Sequence, residues 1–110
     1  MENHFVPVAD TKSVDELLAR SFSEPVIIFK HSSTCPISAG AYREMSRLNH
    51  EIALVVVQRA RDVSREVEAR TGIQHESPQA IILRNGKAVW SASHWSIRTD
   101  AVTEAVEQYQ

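Results

Sequence analysis

Apolar residues in this chain follow two rhythms, unbroken runs and three-to-four-residue spacings, and their alternation predicts the element order. Val26-Ile27-Ile28-Phe29-Lys30 and Ile52-Ala53-Leu54-Val55-Val56-Val57 are continuous β-favouring runs, suited to strands covered on both faces. Phe5-Val6-Pro7-Val8 reads as a short edge strand, because Pro7 removes one ladder donor. Residues 80–84 and 87–90 flank Asn85-Gly86, a pair suited to both central positions of a type I′ turn, so a two-residue hairpin is predicted there. Between the runs lie helical spacings. Ser13 with Glu16 reads as a capping box, with Val14, Leu17, Leu18 and Phe22 on one face and Glu24-Pro25 as the stop. Pro36 suits a first helical position, and Ala39, Tyr42, Met45 (or Ser46) and Leu48-Asn49 continue from it. Asp62 caps a third helix, through Val63 and Val67 to Gly72. Thr99 caps a fourth, with Val102, Ala105, Val106 and Tyr109 on its stripe.

The order is β-α-β-α-β-α-β-β-α, an α/β chain. Helices between buried strands demand crossovers and hence parallel pairs, and the hairpin adds antiparallel ones. One mixed central sheet with helices on both faces follows. At 110 residues the chain, taken as residues 1–110, has room for a single domain. Its net charge of -2 and the lack of a basic stripe interleaved with aromatics argue against nucleic acid as a partner. Residues 1–10 lack a signal-peptide layout, and no apolar run reaches the roughly 20 residues that span a bilayer. With one cysteine there is no internal disulfide to form, so cytoplasmic residence without membrane association is expected.

That cysteine carries the candidate chemistry. Cys35 lies in Phe29-Lys30-His31-Ser32-Ser33-Thr34-Cys35-Pro36-Ile37-Ser38, where a strand pattern gives way to a helix. A thiol there meets unpaired backbone N–H groups and the positive end of the helix dipole. Both favour the thiolate, the reactive form. Thr34, Pro36, Ile37 and Ser38 are therefore candidate thiolate-stabilising positions, through the helix start that Pro36 sets, the N–H groups of Ile37 and Ser38, and the Ser38 hydroxyl. A buried, inert cysteine is the competing reading, but polar neighbours on one side and Pro36 on the other oppose it. The pattern is C-x-x-S, and serine cannot attack a mixed disulfide, so one formed at Cys35 must be resolved by an external thiol.

Other candidates gather around it. Ser93-His94-Trp95-Ser96, after the last strand, is expected at the Cys35 end of the sheet. There Trp95 would wall a ligand groove or else cover the core, and His94 would bond a carboxylate. Lys30 and His31 would draw an anionic ligand or favour thiolate, although a lysine ending a strand is more often simply solvated. The five histidines show no paired spacing and one cysteine cannot build a thiolate-rich metal site, so no metal is expected. A Cys–His hydrolase lacks an orienting third group.

The element order resembles the thioredoxin fold, with Cys35 where that fold places its redox thiol. The resemblance implies a cis-proline at Pro78 facing Cys35, with Ser77 offering its backbone N–H and C=O to an extended ligand. Thr34-Cys35-Pro36-Ile37-Ser38, with Lys30-His31-Ser32-Ser33 before it, further resembles the monothiol bacilliredoxins. The likeness extends to His75-Glu76-Ser77-Pro78, Asn85-Gly86 and Ser93-His94-Trp95, nearly the whole chain. Monothiol glutaredoxins usually carry C-G-F-S at the thiol and other bacilliredoxins C-G-C. What this implies is a cytoplasmic enzyme that takes bacillithiol off S-thiolated client proteins. Bacillithiol would be a co-substrate rather than a tightly bound cofactor, and another bacilliredoxin or thiol reductase would regenerate Cys35. The malate carboxylates of bacillithiol would make Lys30, His31 and His94 ligand contacts. Two alternatives come from other classes: an iron–sulfur cluster carrier shared between two chains, disfavoured by Pro36 in place of glycine, and a non-catalytic thioredoxin-fold adaptor.

Overall fold

The architecture follows from a central strand that is buried on both faces. In a computed structural model that describes residues 4–110, five strands form one sheet in the order β1-β3-β2-β4-β5. Residues 1–3, the start of the stretch read above for a leader, lie outside the described residues. The strands are β1 (Phe5–Pro7), β2 (Val26–His31), β3 (Ile52–Val56), β4 (Gln79–Arg84) and β5 (Lys87–Ser93). The helices are α1 (Lys12–Arg20), α2 (Pro36–Met45), α3 (Arg61–Thr71) and α4 (Thr99–Gln108), with a 3-10 turn at His94–Ser96. β1 and β2 both pair parallel to β3, whereas β4 runs antiparallel to β2 and to β5. This is the thioredoxin-type mixed sheet that the element order predicts.

Strand parity divides the core in two. Ile27, Phe29, Ala80 and Ile82 face α2 and α4, where they pack with Met45, Val102 and Val106. Val26, Ile28, Ile81 and Leu83 face α1 and α3, meeting Val14, Leu17, Val63 and Val67. Because β2 and β4 feed both layers, their sequences read as unbroken apolar runs rather than alternating ones.

Several helix starts differ from the expectation, and at α1 and α4 a side chain outside the helix accepts the first-turn N–H. α1 begins at Lys12, so Ser13 lies inside the helix, and the Asp10 carboxylate accepts its N–H (3.0 Å) and its hydroxyl (3.1 Å). α4 begins at Thr99 itself, and the Glu44 carboxylate of α2 accepts the Thr99 N–H at 2.7 Å. Ala60, not Asp62, precedes α3, and α2 stops at Met45, although Leu48 beyond it remains buried. Gly72 ends α3 in the left-handed conformation, as its position suggests.

The hairpin is as expected at its tip, with Asn85 and Gly86 both at positive φ (57° and 80°). β5 extends to Ser93, beyond the predicted Trp90, with a bulge that leaves Val89 without a register partner. Ser21, buried at the end of α1, holds the turn: its carbonyl accepts the Asn85 N–H (2.8 Å) and its hydroxyl the Gly86 N–H (2.9 Å). Phe22, placed on the buried face of α1 by its spacing, is instead 63% exposed and lies over this turn. A Cβ on Gly86 would come within 2.7 Å of the Phe22 Cζ. Gly86→Ala should therefore cost about 1–2 kcal/mol from the left-handed backbone, plus a collision term. Chemical denaturation of the single and double variants checks this. The cost of Gly86→Ala should be smaller in a Phe22→Ala background, because only the collision is relieved there.

Candidate active site at the end of the central strands

Four loops converge where β2 ends. Lys30 pairs with Gln79, so one step further the chain leaving His31 lies opposite Pro78. Val56 pairs with His31, which brings Gln58 beside the Ser32–Thr34 loop, and Gln79 pairs with Ser93, which brings His94 beside Pro78. The His94 N–H donates to the Pro78 carbonyl at 3.1 Å. The Ser77–Pro78 peptide is cis, as the resemblance implied.

Cys35 occupies the N-cap of α2 in an extended conformation (φ -101°, ψ 125°), half-buried and without a disulfide. Pro36 follows as the first helical residue, where its missing N–H leaves no vacancy in the ladder. The Cys35 carbonyl accepts the Ala39 N–H at 3.0 Å, the first turn of the helix. Ile37 is half-buried, and Thr34 is exposed with its hydroxyl accepting from Gln58 Nε2 at 3.1 Å.

Ser38 is committed elsewhere than to the thiol. It is fully buried, its hydroxyl oxygen accepts the Ser32 N–H at 2.9 Å, and it shares a hydrogen with His31 Nδ1, also at 2.9 Å. The hydroxyl bond to Cys35 expected from the sequence is thus replaced by a bond that folds the loop back onto the helix. His31 sits on the α2 side of the sheet against Tyr42 and Phe29, with ring centroids 4.9 and 5.6 Å away. Burial lowers its pKa below the ordinary value, and the Ser38 bond partly opposes this.

Lys30 is the clear correction. Neighbouring residues on a strand point to opposite faces, so Lys30 faces α3 while His31 faces α2. It is fully buried and neither solvated nor available to a ligand on Cys35. Its Nζ donates to the Ser64 carbonyl (3.1 Å) and contacts His75 Nδ1 (3.2 Å). Burial lowers its pKa, and Glu68 partly restores it. The His75 pKa is also lowered, first by burial and then by the Lys30 charge. The His75 N–H donates to Glu68 (2.9 Å), so this cluster ties α3 to the loop leading into Pro78.

His94 lies 3.5 Å from the Glu76 carboxylate and has a positive φ of 54°. Trp95 is 72% exposed, which excludes the core-covering alternative. The Ser77 hydroxyl oxygen is buried without a partner among the described residues. Gln58 is the residue that sequence reasoning missed. Its amide accepts the Ser33 N–H (3.3 Å) and donates to Ser32 (2.8 Å) and Thr34, gripping the loop before the thiol. A single polar residue after a strand gives no local sign of such a role.

The fold, with a lone cysteine at the start of α2, is that of a thioredoxin-like thiol oxidoreductase. The chain belongs to the monothiol bacilliredoxin (BrxC) family, whose profile matches residues 6–102. It is similar to a solved structure described as a proposed oxidoreductase with a thioredoxin fold, at 30% identity over 92% of each chain and a TM-score of 0.84. Thioredoxin from Fasciola hepatica (13% identity, 94% of this chain and 98% of that one, TM-score 0.74) shares the fold. So does thioredoxin from Schistosoma mansoni (16%, 99% and 100%, TM-score 0.70). Among the described residues no helix is long and apolar enough to cross a membrane.

Two measurements follow. Ser38→Ala leaves the Ser32 N–H without its acceptor and should lower stability by about 1–3 kcal/mol, read as a shifted denaturation midpoint. The lowered pKa values of His31 and His75 mean that the unfolded chain takes up protons first. Stability should be complete above the unfolded histidine value of 6.5 and fall as pH drops below it. Thermal melts across that range should show the loss, and His75→Gln should remove the His75 share of it and leave that of His31.

Proposed function

We propose that this chain removes bacillithiol, or a similar low-molecular-weight thiol, from mixed disulfides on oxidised proteins. The observation that carries this reading is a single half-buried cysteine at a helix start, at the end of the sheet where the cis Ser77–Pro78 peptide also lies, with a buried, hydrogen-bonded serine at the third position after it. The Cys35 thiolate attacks the bacillithiol sulfur of the mixed disulfide. The S–S bond to the client breaks, and the client leaves as its thiolate. Cys35 then carries bacillithiol in a new disulfide. An external thiolate attacks that bacillithiol sulfur, releases the Cys35 thiolate and becomes oxidised itself. Ser38 cannot enter either step, because it has neither a sulfur nor exposure.

The residues around the thiol support an extended ligand. The Ser77 hydroxyl at the entrance to Pro78 is a buried polar group without a partner among the described residues, open to a bond from water or ligand. A ligand laid along Ser77–Pro78 would offer it one. A thiol-rich, reducing compartment such as the cytoplasm is the setting this exchange needs.

The test is mass spectrometry of the full chain after incubation with a bacillithiolated client peptide. The expected result is free peptide thiol together with one bacillithiol adduct on Cys35, and a Cys35→Ala variant should release no peptide. Peptide release at an unchanged rate by Cys35→Ala, or no adduct on the unaltered chain, would overturn the proposal.

A further inference from the structure

A groove along the flank of the helix that Cys35 caps has a charge that exchange chemistry alone does not require. It runs between α2 and the His94–Ser96 turn, has a volume of about 250 Å³, and is bordered by Gly40, Arg43, Arg47, Trp95 and Arg98. Three guanidinium groups line it against one carboxylate, Glu44. That carboxylate is already engaged. It accepts the Thr99 N–H and hydroxyl (2.7 and 2.8 Å) and meets Arg47 at 3.2 Å. Arg98 has Asp100 at 3.7 Å. Arg43 has no ion pair among the described residues.

Gly40 marks where the groove opens. It lies inside α2, where glycine weakens a helix relative to alanine. Its backbone does not require glycine, and a Cβ there would make ordinary contacts, 3.8 Å from Arg43 Nη2 and 4.0 Å from Trp95 Cζ3. The missing side chain instead leaves a gap between a guanidinium and an indole. Helical side chains lean toward the N-terminus, so Arg43 reaches back toward the thiol end of α2. Gly40 itself is about 7.5 Å along the helix axis from Cys35, by the helical rise. Trp95 is held beside this gap by the turn whose first residue, His94, has positive φ and is bonded to the Pro78 carbonyl.

We infer that Arg43, Gly40 and Trp95 form a subsite for the carboxylate end of the small thiol that Cys35 carries. The guanidinium fork takes the carboxylate, and the indole covers the body of the ligand. This deepens the exchange reaction proposed above and rests on it, although not on the thiol being bacillithiol.

The experiment measures the rate constant for reaction of Cys35 in the full chain with three disulfides. Bacillithiol disulfide and glutathione disulfide carry carboxylates, and bis(2-hydroxyethyl) disulfide carries none. Arg43→Gln should slow both acidic disulfides about tenfold, as loss of a charged hydrogen bond does, and leave the neutral one unchanged. Arg43→Lys should recover only part of the loss, because it keeps the charge without the fork. Gly40→Leu, which fills the gap, should also slow only the acidic pair. Equal slowing of all three by Arg43→Gln, or of none, overturns the subsite. So does slowing confined to an acidic client peptide that carries a neutral thiol, since the groove would then read the client. Reaction with glutathione disulfide but not bacillithiol disulfide sinks the bacillithiol assignment and leaves the subsite to stand or fall on the glutathione rates. No reaction with any of the three overturns the exchange and the subsite together.

Discussion

The parity of β2 governs this molecule. The strand lies in the middle of the sheet with both faces covered, so each successive residue is assigned to one layer or the other with no solvent-facing compromise. Phe29 builds the layer beneath α2, and His31 continues on that side to meet Ser38 and Tyr42. A slip of one residue would exchange His31 with Lys30 and put an ammonium group under the thiol helix. It would also displace the loop from Pro78, because the pairing of Lys30 with Gln79 sets where the two chain segments meet. The site is thus a consequence of the ladder that also makes the core.

Burying Lys30 is the costly part of that arrangement. A charge without water is tolerated only when its donors are used, and the neutral form gains accordingly. The Ser64 carbonyl and His75 receive it, while Glu68 supplies the compensating charge and holds the His75 backbone. The loop that delivers Ser77 and Pro78 is fastened through this polar knot on the sheet face opposite the thiol. Chemistry on one side therefore depends on electrostatics on the other.

Much of this was legible in the chain. The unbroken runs at β2 and β3, the Asn85-Gly86 turn and the Thr34–Ser38 segment are local signals, each governed by residues near in sequence. The errors have the opposite character. Ser13, Asp62 and Thr99 all have cap chemistry, yet Asp10 and Glu44 accept the N–H groups of Ser13 and Thr99, and Asp62 accepts the Val63 N–H from inside a helix that starts one residue earlier. Only folding brings Glu44 to α4. Lys30 was misread because polarity at a strand end suggests solvent, and only the sheet's parity and the presence of α3 make it interior. Gln58 and the place of Arg43 opposite Trp95 were invisible because their partners lie far away along the chain.

The solitary thiol has one more consequence. A pair of thiols closing on each other forms a couple with a standard potential that belongs to the protein. Within these residues no such couple exists, so the midpoint at which Cys35 is half oxidised is not an intrinsic constant. It moves with the concentration and oxidation of whatever thiols surround it. Under the proposed exchange the chain would act as an indicator equilibrated with its pool, its state reporting the composition of that pool.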